Sequence, residues 1–360
     1  MTRAPDSAFW RGKRVLLTGH TGFKGAWTCL MLEALGADVI GLSLSPAELG
    51  AFAQLGIAAR LRASYMVDIR DAAAVAQVVQ KAQPDVVIHM AAQALVGEGY
   101  RDPAGTFATN VNGTIHLLQA LRGAAGVAAA VIVTSDKVYR HDALGRPFIE
   151  SDALGGHDPY SSSKAATELV VASWCHSFKS ELPPMATARA GNVIGGGDFA
   201  QERLIPDLVR ARRAGRPLML RNPDATRPFQ HVHDVISGYL LLAEALAQQE
   251  RQGFPAAFNF GPQDAECRVR DLLTEWQRAT GQALQCLVAS GPLMAEQPRL
   301  ALDSGRAAGV LGWRPHYDLS RAIAETARWY AAWDDGDDMP AYSQAAMTAF
   351  LSAKSKEPGP

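Results

Sequence analysis

Residues 14 to 25 read RVLLTGHTGFKG, a short apolar run that passes directly into three glycines, Gly19, Gly22 and Gly25, in the spacing GxxGxxG. The apolar run predicts a strand over Arg14–Thr18, and the pattern after it predicts a helix over residues 26–35. Glycines permit a tight turn and let a pyrophosphate approach the backbone, where a helix N-terminus supplies N–H groups and a positive dipole. By itself the triplet is also compatible with an ordinary strand-to-helix turn, so its interpretation depends on the elements that come after it in the chain.

Beyond this loop the chain alternates apolar strands with helical patterns. Further strands are predicted at residues 37–42, 65–68, 85–90, 129–133 and 185–189, and further helices at 72–82, 103–122 and 160–177. Strands that are almost wholly apolar indicate a parallel sheet covered on both faces. Right-handed crossovers then give an α/β fold, a Rossmann-like doubly wound parallel sheet. In this setting dinucleotide binding is the better interpretation of the glycine loop.

The sequence changes character near residue 192, where segments become shorter and richer in proline and arginine. We predict a dinucleotide-binding domain over residues 12–191 and a smaller C-terminal substrate-binding lobe over residues 192–335. Residues 336–360 are predicted to form a tail, solvated and weakly ordered from Lys354 onward.

The composition, 48% hydrophobic and 20% charged with a net charge of -1, is typical of a soluble globular protein. Without a run of Lys or Arg, it gives no sign of nucleic acid or an anionic membrane as a partner. No apolar stretch approaches the ~20 residues of a membrane span, and the N-terminus lacks the apolar centre of a signal peptide. The scattered cysteines indicate reduced thiols, so we expect a cytoplasmic protein. They are Cys29, Cys175, Cys267 and Cys286.

Tyr160 and Lys164 are four residues apart at the predicted start of a helix, so they share one face. Lys164 is placed to hydrogen-bond a nicotinamide ribose and, together with NAD⁺, to lower the pKa of Tyr160 from ~10. Tyr160 would then take a proton from an alcohol while hydride leaves its carbon, with Ser135 bonded to the same alcohol. An isolated YxxxK pattern usually marks a solvated helix face. Because it comes after the glycine loop and the TSDK strand end, it predicts a catalytic pair.

The choice between NAD and NADP depends on the ends of the second and third strands. NAD-binding domains usually place an acid after the second strand, but this chain has Gly41-Leu42-Ser43 there and no arginine for a 2′-phosphate. Asp68 would accept from the adenine amino group, although a polar residue that ends a strand explains it equally well. NAD is favoured over NADP. The predicted cofactor contacts are Gly19, Thr21, Gly22, Phe23, Gly25, Asp68, Ile69, Ala91, Ala92, Tyr160 and Lys164.

GHTGFKG, DVVIHMAAQ, NVNGT, TSDKVY, YSSSK and RAGNVIGGGDF together resemble the extended short-chain dehydrogenase/reductase family over about residues 12–330. Within it, the chain is most similar to the branch that dehydrates CDP-glucose, because relatives acting on dTDP-glucose carry Asp-Glu where this chain has Asp136-Lys137. The resemblance implies an NAD-dependent 4,6-dehydratase (a hydro-lyase), a CDP-glucose substrate and a homodimer joined through helices 103–122 and 160–177. The alternatives are another nucleotide-sugar dehydratase or epimerase, or a catalytically silent dinucleotide-binding regulator.

The reaction of that branch implies a role for each residue of the acid-lysine pair. Tyr160 and NAD⁺ oxidise the C4 hydroxyl of glucose, which acidifies the hydrogen on C5. Lys137, if neutral, removes that proton, and Asp136, if protonated, donates to the C6 hydroxyl that leaves as water. Hydride then returns to C6. The alternative for this pair is a surface ion pair at a strand end.

The predicted substrate contacts are Thr134, Asn192, Arg203, Leu204 and Arg227. Asn192 would meet a phosphate or a sugar hydroxyl, and the two arginines offer a fork matched to the pyrophosphate. Leu204 would help to wall the base. His231 and His233 have no suitably spaced third ligand, so we predict structural histidines and no metal.

Overall fold

We describe the fold from a computed structural model, for residues 3–140, 145–248, 253–263, 267–289 and 299–355. Its strands are β1 (Arg14–Thr18), β2 (Asp38–Ser43), β3 (Ala63–Met66), β4 (Val86–His89), β5 (Ala129–Val133), β6 (Met185–Ala190), β7 (Val193–Ile194), β8 (Leu218–Leu220), β9 (Thr226–Arg227), β10 (Gln230–His231), β11 (Ala257–Phe260), β12 (Cys267–Arg268) and β13 (Cys286–Val288). Its helices are α1 (Ser7–Trp10), α2 (Phe23–Ala34), α3 (Ala51–Gln54), α4 (Ala72–Ala82), α5 (Val96–Arg101), α6 (Pro103–Phe107), α7 (Gly113–Leu121), α8 (Pro159–Ser177), α9 (Leu204–Arg213), α10 (Val232–Gln248), α11 (Val269–Thr280), α12 (Leu319–Asp335) and α13 (Met339–Ser355). Within these ranges, no helix has the length and apolar character needed to cross a membrane.

Seven parallel strands form the central sheet in the order β11-β6-β5-β4-β1-β2-β3. The chain builds outward from β1 in one direction through β2 and β3, and in the other direction through β4, β5, β6 and β11. The reversal between β1 and β4 creates a crevice at the carboxyl ends of the strands, where such sheets bind ligands. The predicted Rossmann-like doubly wound sheet is confirmed.

Strand β1 shows how the sheet is covered on both faces. Val15 and Leu17 face one apolar layer, to which helices α2 and α10 contribute Trp27 and Leu240. Leu16 faces the opposite layer, built in part from α4 and α7. Because every strand of the sheet is parallel and its faces are covered by helices, near-continuous apolar sequence is what the fold requires.

The helix predicted over residues 103–122 is interrupted. It begins as α6, widens into a π turn over Ala108–Asn112 and continues as α7. Asn110, inside this turn, is buried; its Oδ1 accepts from Gln93 N at 2.8 Å and its Nδ2 donates to Ser163 Oγ at 2.8 Å. Such turns often mark functional sites, and this one joins the loop after β4 to the helix that carries Tyr160.

The segments after residue 192 build a small lobe, but two of them return to the main body. Parallel pair β8–β13 and antiparallel pair β9–β12 lie in the lobe, with helices α9 and α11. Helix α10 packs on β5 and β6, and β11 pairs with β6 in the central sheet. The division into domains at residues 191 and 335 therefore stays a proposal, with α10 and β11 belonging to the body.

The prediction of a tail from residue 336 is wrong for most of that segment. Residues Met339–Ser355 form helix α13, in which Met347 and Phe350 are buried at 0% and 1% exposure. Met339, Met347 and Phe350 recur at spacings of eight and three, which brings them to one face of a helix. Residues 356–360, and the side chains from Lys354 onward, lie outside the described residues.

Candidate active site

The glycine loop packs against the end of β4. Gly19 has φ +76°, and a Cβ there would lie 2.8 Å from the backbone nitrogen of Ala91. A Cβ at Gly25 would lie 2.1 Å from the Gly19 carbonyl oxygen, so the loop and helix α2 touch at their backbones. Gly22 precedes α2 without a side-chain cap, and a Cβ there would meet only the Gly19 oxygen, at 3.4 Å. This cradle at a helix N-terminus fits a pyrophosphate.

Other predicted cofactor residues border the same loop. Thr21 ties it to the end of β2: its Oγ1 lies 2.7 Å from Ser43 Oγ and donates to the Leu44 carbonyl oxygen at 3.0 Å. Phe23 is the first residue of α2, and Ala91 and Ala92 come after β4 on the other side of the loop. The structure thus gathers these residues at the switch point of the sheet.

Asp68 and Ile69 lie beyond β3, at the far end of this crevice. Asp68 accepts from Arg70 Nη2 at 2.6 Å, and this hydrogen bond holds the pKa of the Asp68 carboxyl below its usual value. Ile69 is buried, and its carbonyl oxygen lies 3.1 Å from His116 Nδ1. An ionised Asp68 keeps the acceptor that an adenine amino group would need.

The catalytic segment comes directly after β5. Ser135 caps a 3₁₀ turn over Asp136–Val138, accepting from Lys137 N at 3.2 Å and donating to Asp136 Oδ1 at 3.0 Å. Asp136 is 2% exposed, and its Oδ2 has no partner among the described residues. A Cβ at Gly191 would lie 1.8 Å from that Oδ2, so the glycine makes room for the carboxyl.

Burial raises the pKa of Asp136. The charge of Lys137, the hydrogen bond from Ser135 and the charge of Arg227 oppose this effect without outweighing it. The buried environment therefore favours the protonated carboxyl, which is the form that an acid needs. This direction agrees with the role expected for Asp136.

Tyr160 and Lys164 project from the first turns of α8. Asp158 caps the helix by accepting from Ser161 N at 3.0 Å. Both side chains are buried, and Lys164 Nζ donates to the Val133 carbonyl oxygen at 3.3 Å, which joins it to the end of β5. Burial lowers the pKa of Lys164 to about 7, helped by Lys24.

The pKa of Tyr160 depends on burial and on the charges around it. In the polypeptide by itself, burial raises this pKa and the nearby charge of Asp136 raises it further. The hydrogen bond with Ser135 lowers it. The cation that lowers it is Arg203, while Lys164 Nζ donates to the Val133 carbonyl oxygen. In the polypeptide by itself desolvation is the largest effect on the pKa of Tyr160, and the lowering by Lys164 together with bound NAD⁺ stays a prediction.

A cavity of about 300 Å³ opens at the carboxyl end of β5 and β6. It is lined by every predicted substrate residue and by four of the five predicted catalytic residues, namely Thr134, Ser135, Asp136, Lys137, Tyr160, Asn192, Arg203, Leu204 and Arg227. Lys164 lies behind this wall. A cavity of this size, with a few convergent polar groups, suits a small polar ligand.

The predicted substrate residues are held in different ways. Asn192 has φ +39°, a conformation uncommon for a side-chain-bearing residue and often found at functional sites. Arg203 precedes α9 and donates to Asp198 Oδ2 at 3.1 Å, whereas Arg227, in β9, donates to the Thr226 carbonyl oxygen at 2.9 Å. Leu204 begins α9.

Sequence reasoning missed five charged residues of the cavity wall, namely Lys24, Asp198, Glu202, Asp207 and Arg221. Lys24, inside the quoted glycine loop, is half-buried; burial and Arg203 lower its pKa to about 8, while Asp136 opposes them. The sequence feature that could have identified Lys24 is a lysine in the first turn of a helix that packs on the sheet. Glu202 has φ +61° and pairs with Arg101 at 2.9 Å, and a Cβ at Gly97 would lie 2.0 Å from its Oε2. No sequence pattern marked Glu202.

The two histidines of HVHD lie away from this cavity. The rings of His231 and His233 meet edge to face, with their centroids 4.5 Å apart. Burial lowers the pKa of His231 to about 3. His233 packs against Trp27 and Phe350. In the described part of the chain, no group of three or more side chains is arranged to hold a metal ion.

Known proteins are similar to this chain in sequence and in fold. The family described as NAD dependent epimerase/dehydratase matches residues 15–261. The chain is 36% identical over 362 residues to CDP-glucose 4,6-dehydratase of Salmonella typhimurium, covering 98% of this chain and 99% of that protein. It is 28% identical over 336 residues to dTDP-glucose 4,6-dehydratase of Xanthomonas campestris, covering 88% and 92%. A crystal structure of UDP-glucose-4-epimerase from Stenotrophomonas maltophila, with NAD and formylated UDP-arabinopyranose, matches with a TM-score of 0.79 at 24% identity, covering 90% and 99%.

Proposed function

The chain belongs to the NAD dependent epimerase/dehydratase family, and we propose that it is a nucleotide-sugar 4,6-dehydratase acting on CDP-glucose. Its cofactor is NAD. The observation that carries the proposal is the pair Asp136-Lys137, which lines the same cavity as Tyr160 and includes a carboxyl whose pKa is raised by burial. Near full-length identity with a protein named CDP-glucose 4,6-dehydratase supports the choice of substrate.

The residues present fit NAD. Gly19, Gly22 and Gly25 would hold the pyrophosphate at the N-terminus of α2. Asp68 would meet the adenine, and Tyr160 and Lys164 would meet the nicotinamide ribose. When bound, NAD takes a hydride from C4 of the sugar and later returns it to C6.

Tyr160 serves the oxidation at C4. As the phenolate, its oxygen accepts the proton of the C4 hydroxyl, and Ser135 Oγ hydrogen-bonds the C4 oxygen. Burial raises the pKa of Tyr160 in the polypeptide by itself, and the charge of Arg203 opposes this rise, which favours the phenolate needed for this step.

The acid-lysine pair serves the elimination of water. Lys137 Nζ takes the proton from C5, and the electron pair of that C–H bond forms the C5–C6 double bond as the C6–O bond breaks. Asp136 donates its proton to the departing hydroxyl, which leaves as water. Elimination leaves a 4-keto sugar with a C5–C6 double bond. Return of a hydride to C6 and of the Lys137 proton to C5 would then give the 4-keto-6-deoxy sugar, still attached to CDP.

The rest of the cavity would hold the nucleotide. Arg203 and Arg227 would contact the pyrophosphate of CDP-glucose, and Asn192 a phosphate or sugar hydroxyl. Leu204, at the start of α9, would pack against the base.

We also propose a homodimer. Phe107 on α6 and Leu169 on α8 are 39% and 61% exposed, and α6 and α8 pack together in the structure. Two copies of this helix pair would cover these apolar side chains. The cysteines are unpaired, which supports the proposal of a reducing, cytoplasmic setting.

Mass analysis of products tests the function. The protein is incubated with NAD⁺ and CDP-, dTDP-, GDP- or UDP-glucose, and we expect loss of one water from CDP-glucose. Loss of water from another sugar nucleotide would show that the enzyme prefers a base other than cytosine. An isomer of unchanged mass would favour an epimerase, which needs Tyr160 but not Asp136 and Lys137.

A further inference from the structure

Glu168, on the third turn of α8, lies buried behind the active-site cavity. It accepts from Thr134 Oγ1 at 2.5 Å and Thr187 Oγ1 at 2.7 Å, and from Arg189 Nε at 3.0 Å and Nη2 at 2.8 Å. Its side chain and that of Arg189 are each 4% exposed. These hydrogen bonds hold the Glu168 carboxylate firmly, because a buried charge is costly unless it is paired and fully hydrogen-bonded.

Arg189, the other half of the ion pair, reaches the far end of the catalytic segment. Its Nη1 donates to Tyr139 Oη at 2.9 Å, and Tyr139 Oη donates to Asn259 Oδ1 at 2.6 Å. The Tyr139 ring stacks on Phe148 with centroids 4.7 Å apart. Tyr139 is 1% exposed and does not line the cavity.

The segment TSDKVY is therefore held at both ends by one ion pair. Thr134 is bonded to Glu168 and Tyr139 to Arg189, and the reactive side chains lie between them. Glu168 belongs to the helix that carries Tyr160 and Lys164, one turn after Lys164. The pair thus connects the two groups of residues that must meet across the sugar.

We propose that the Glu168–Arg189 ion pair is a positioning clamp that fixes residues 134–139 relative to helix α8 and so sets the geometry between Tyr160 and the acid-lysine pair. This inference rests on the proposed function. It assigns the Thr134 hydroxyl to the clamp, because that hydroxyl donates to Glu168. A catalytic group displaced by about 1 Å can lose on the order of a hundredfold in rate, so loosening either end reduces kcat.

The test uses substitutions that loosen one end at a time. Thr134→Val and Tyr139→Phe each remove one hydroxyl and keep the shape of the side chain. Each should lower kcat by roughly tenfold or more with little change in KM for CDP-glucose. Thr134→Ser restores the donor and should restore most of the rate.

Thr187→Val is the matched control. It removes a hydroxyl that donates to the same carboxylate, but Thr187 lies in β6, paired with Ile132, and is not part of residues 134–139. It should lower the melting temperature about as much as Thr134→Val while leaving kcat close to that of the parent protein. Equal kcat losses in all three variants would show that the Glu168–Arg189 ion pair stabilises the fold without positioning residues 134–139.

Two further outcomes overturn the clamp. A loss of kcat in Thr134→Val but not in Tyr139→Phe would mean that Thr134 contacts substrate directly. Parent-like kcat in both would remove any positioning role while leaving the dehydratase function intact.

If the parent protein dehydrates no sugar nucleotide, the proposed function fails, and crystal structures of the variants test the clamp. Residues 134–139 should shift relative to α8 in Thr134→Val and Tyr139→Phe but not in Thr187→Val. An unshifted segment would refute the clamp.

Discussion

Asp136 and Lys137 are neighbours in sequence but play separable parts in the proposed reaction. Lys137→Met should still permit oxidation at C4, because Tyr160 and Ser135 are unchanged. We expect bound NADH to form, seen by its near-ultraviolet absorbance, while release of the 4-keto-6-deoxy sugar falls on the order of a hundredfold or more. Tyr160→Phe should suppress NADH formation itself. Near-parental dehydration by Lys137→Met would make the pair a structural ion pair.

The buried carboxyl of Asp136 has a consequence for stability. Because its pKa is raised by burial, the folded protein holds a proton that the unfolded chain, with a pKa of ~3.9, releases. The free energy of unfolding therefore falls as the pH rises from about 4 through the folded pKa. We expect Asp136→Asn to be inactive in elimination. The melting temperature of this variant minus that of the parent should be more positive at pH 8 than at pH 4, because only the parent has the buried Asp136 carboxyl, which ionises as the pH rises. A pH-independent difference in melting temperature would contradict the raised pKa.

At the scale of elements, the glycine loop makes two different demands on its glycines. Gly22 has room for a side chain within the protein, so Gly22→Val should fold but exclude the pyrophosphate and abolish NAD binding. Gly25→Ala should instead destabilise the fold, because its Cβ would meet the Gly19 backbone. Calorimetric titration with NAD⁺ and thermal melts separate the two effects. Unchanged NAD affinity in a folded Gly22→Val variant would overturn the glycine-loop assignment.

The elements that sequence predicts well are those whose pattern is local. Strand β1 and helix α4 match their predicted bounds, since a continuous apolar run or a regular helical period specifies each one. The π turn over Ala108–Asn112 and helix α13 were missed, because the first depends on the bonds of Asn110 and the second on burial of a few spaced apolar residues. The order of the motifs along the chain allowed most of the site residues to be predicted as one site. Lys24 and Glu202 enter the cavity through tertiary placement, which no local pattern encodes.

At the scale of the whole molecule, the proposed dimer has a direct test. Leu169→Glu would place a charge in the apolar contact between copies of α8 and should shift the protein to a monomer. Val310→Glu is the control, because Val310 is similarly exposed, at 48%, but lies outside α6 and α8. Light scattering at micromolar concentrations measures the mass. A monomer mass for the parent protein would reject the dimer.

The return of β11 to the edge of the central sheet bears on how the protein is made. During synthesis, β6 leaves the ribosome about seventy residues before its partner β11, because the chain first builds part of the lobe and α10. Until residue 248 has emerged, the face that α10 will cover is open to water, and until residue 260 has emerged, β6 presents an unpaired edge. Nascent chains at this stage offer a template for wrong pairing. A chaperone that shields apolar surface would be most useful during this interval, and truncations ending between residues 191 and 256 should aggregate rather than fold.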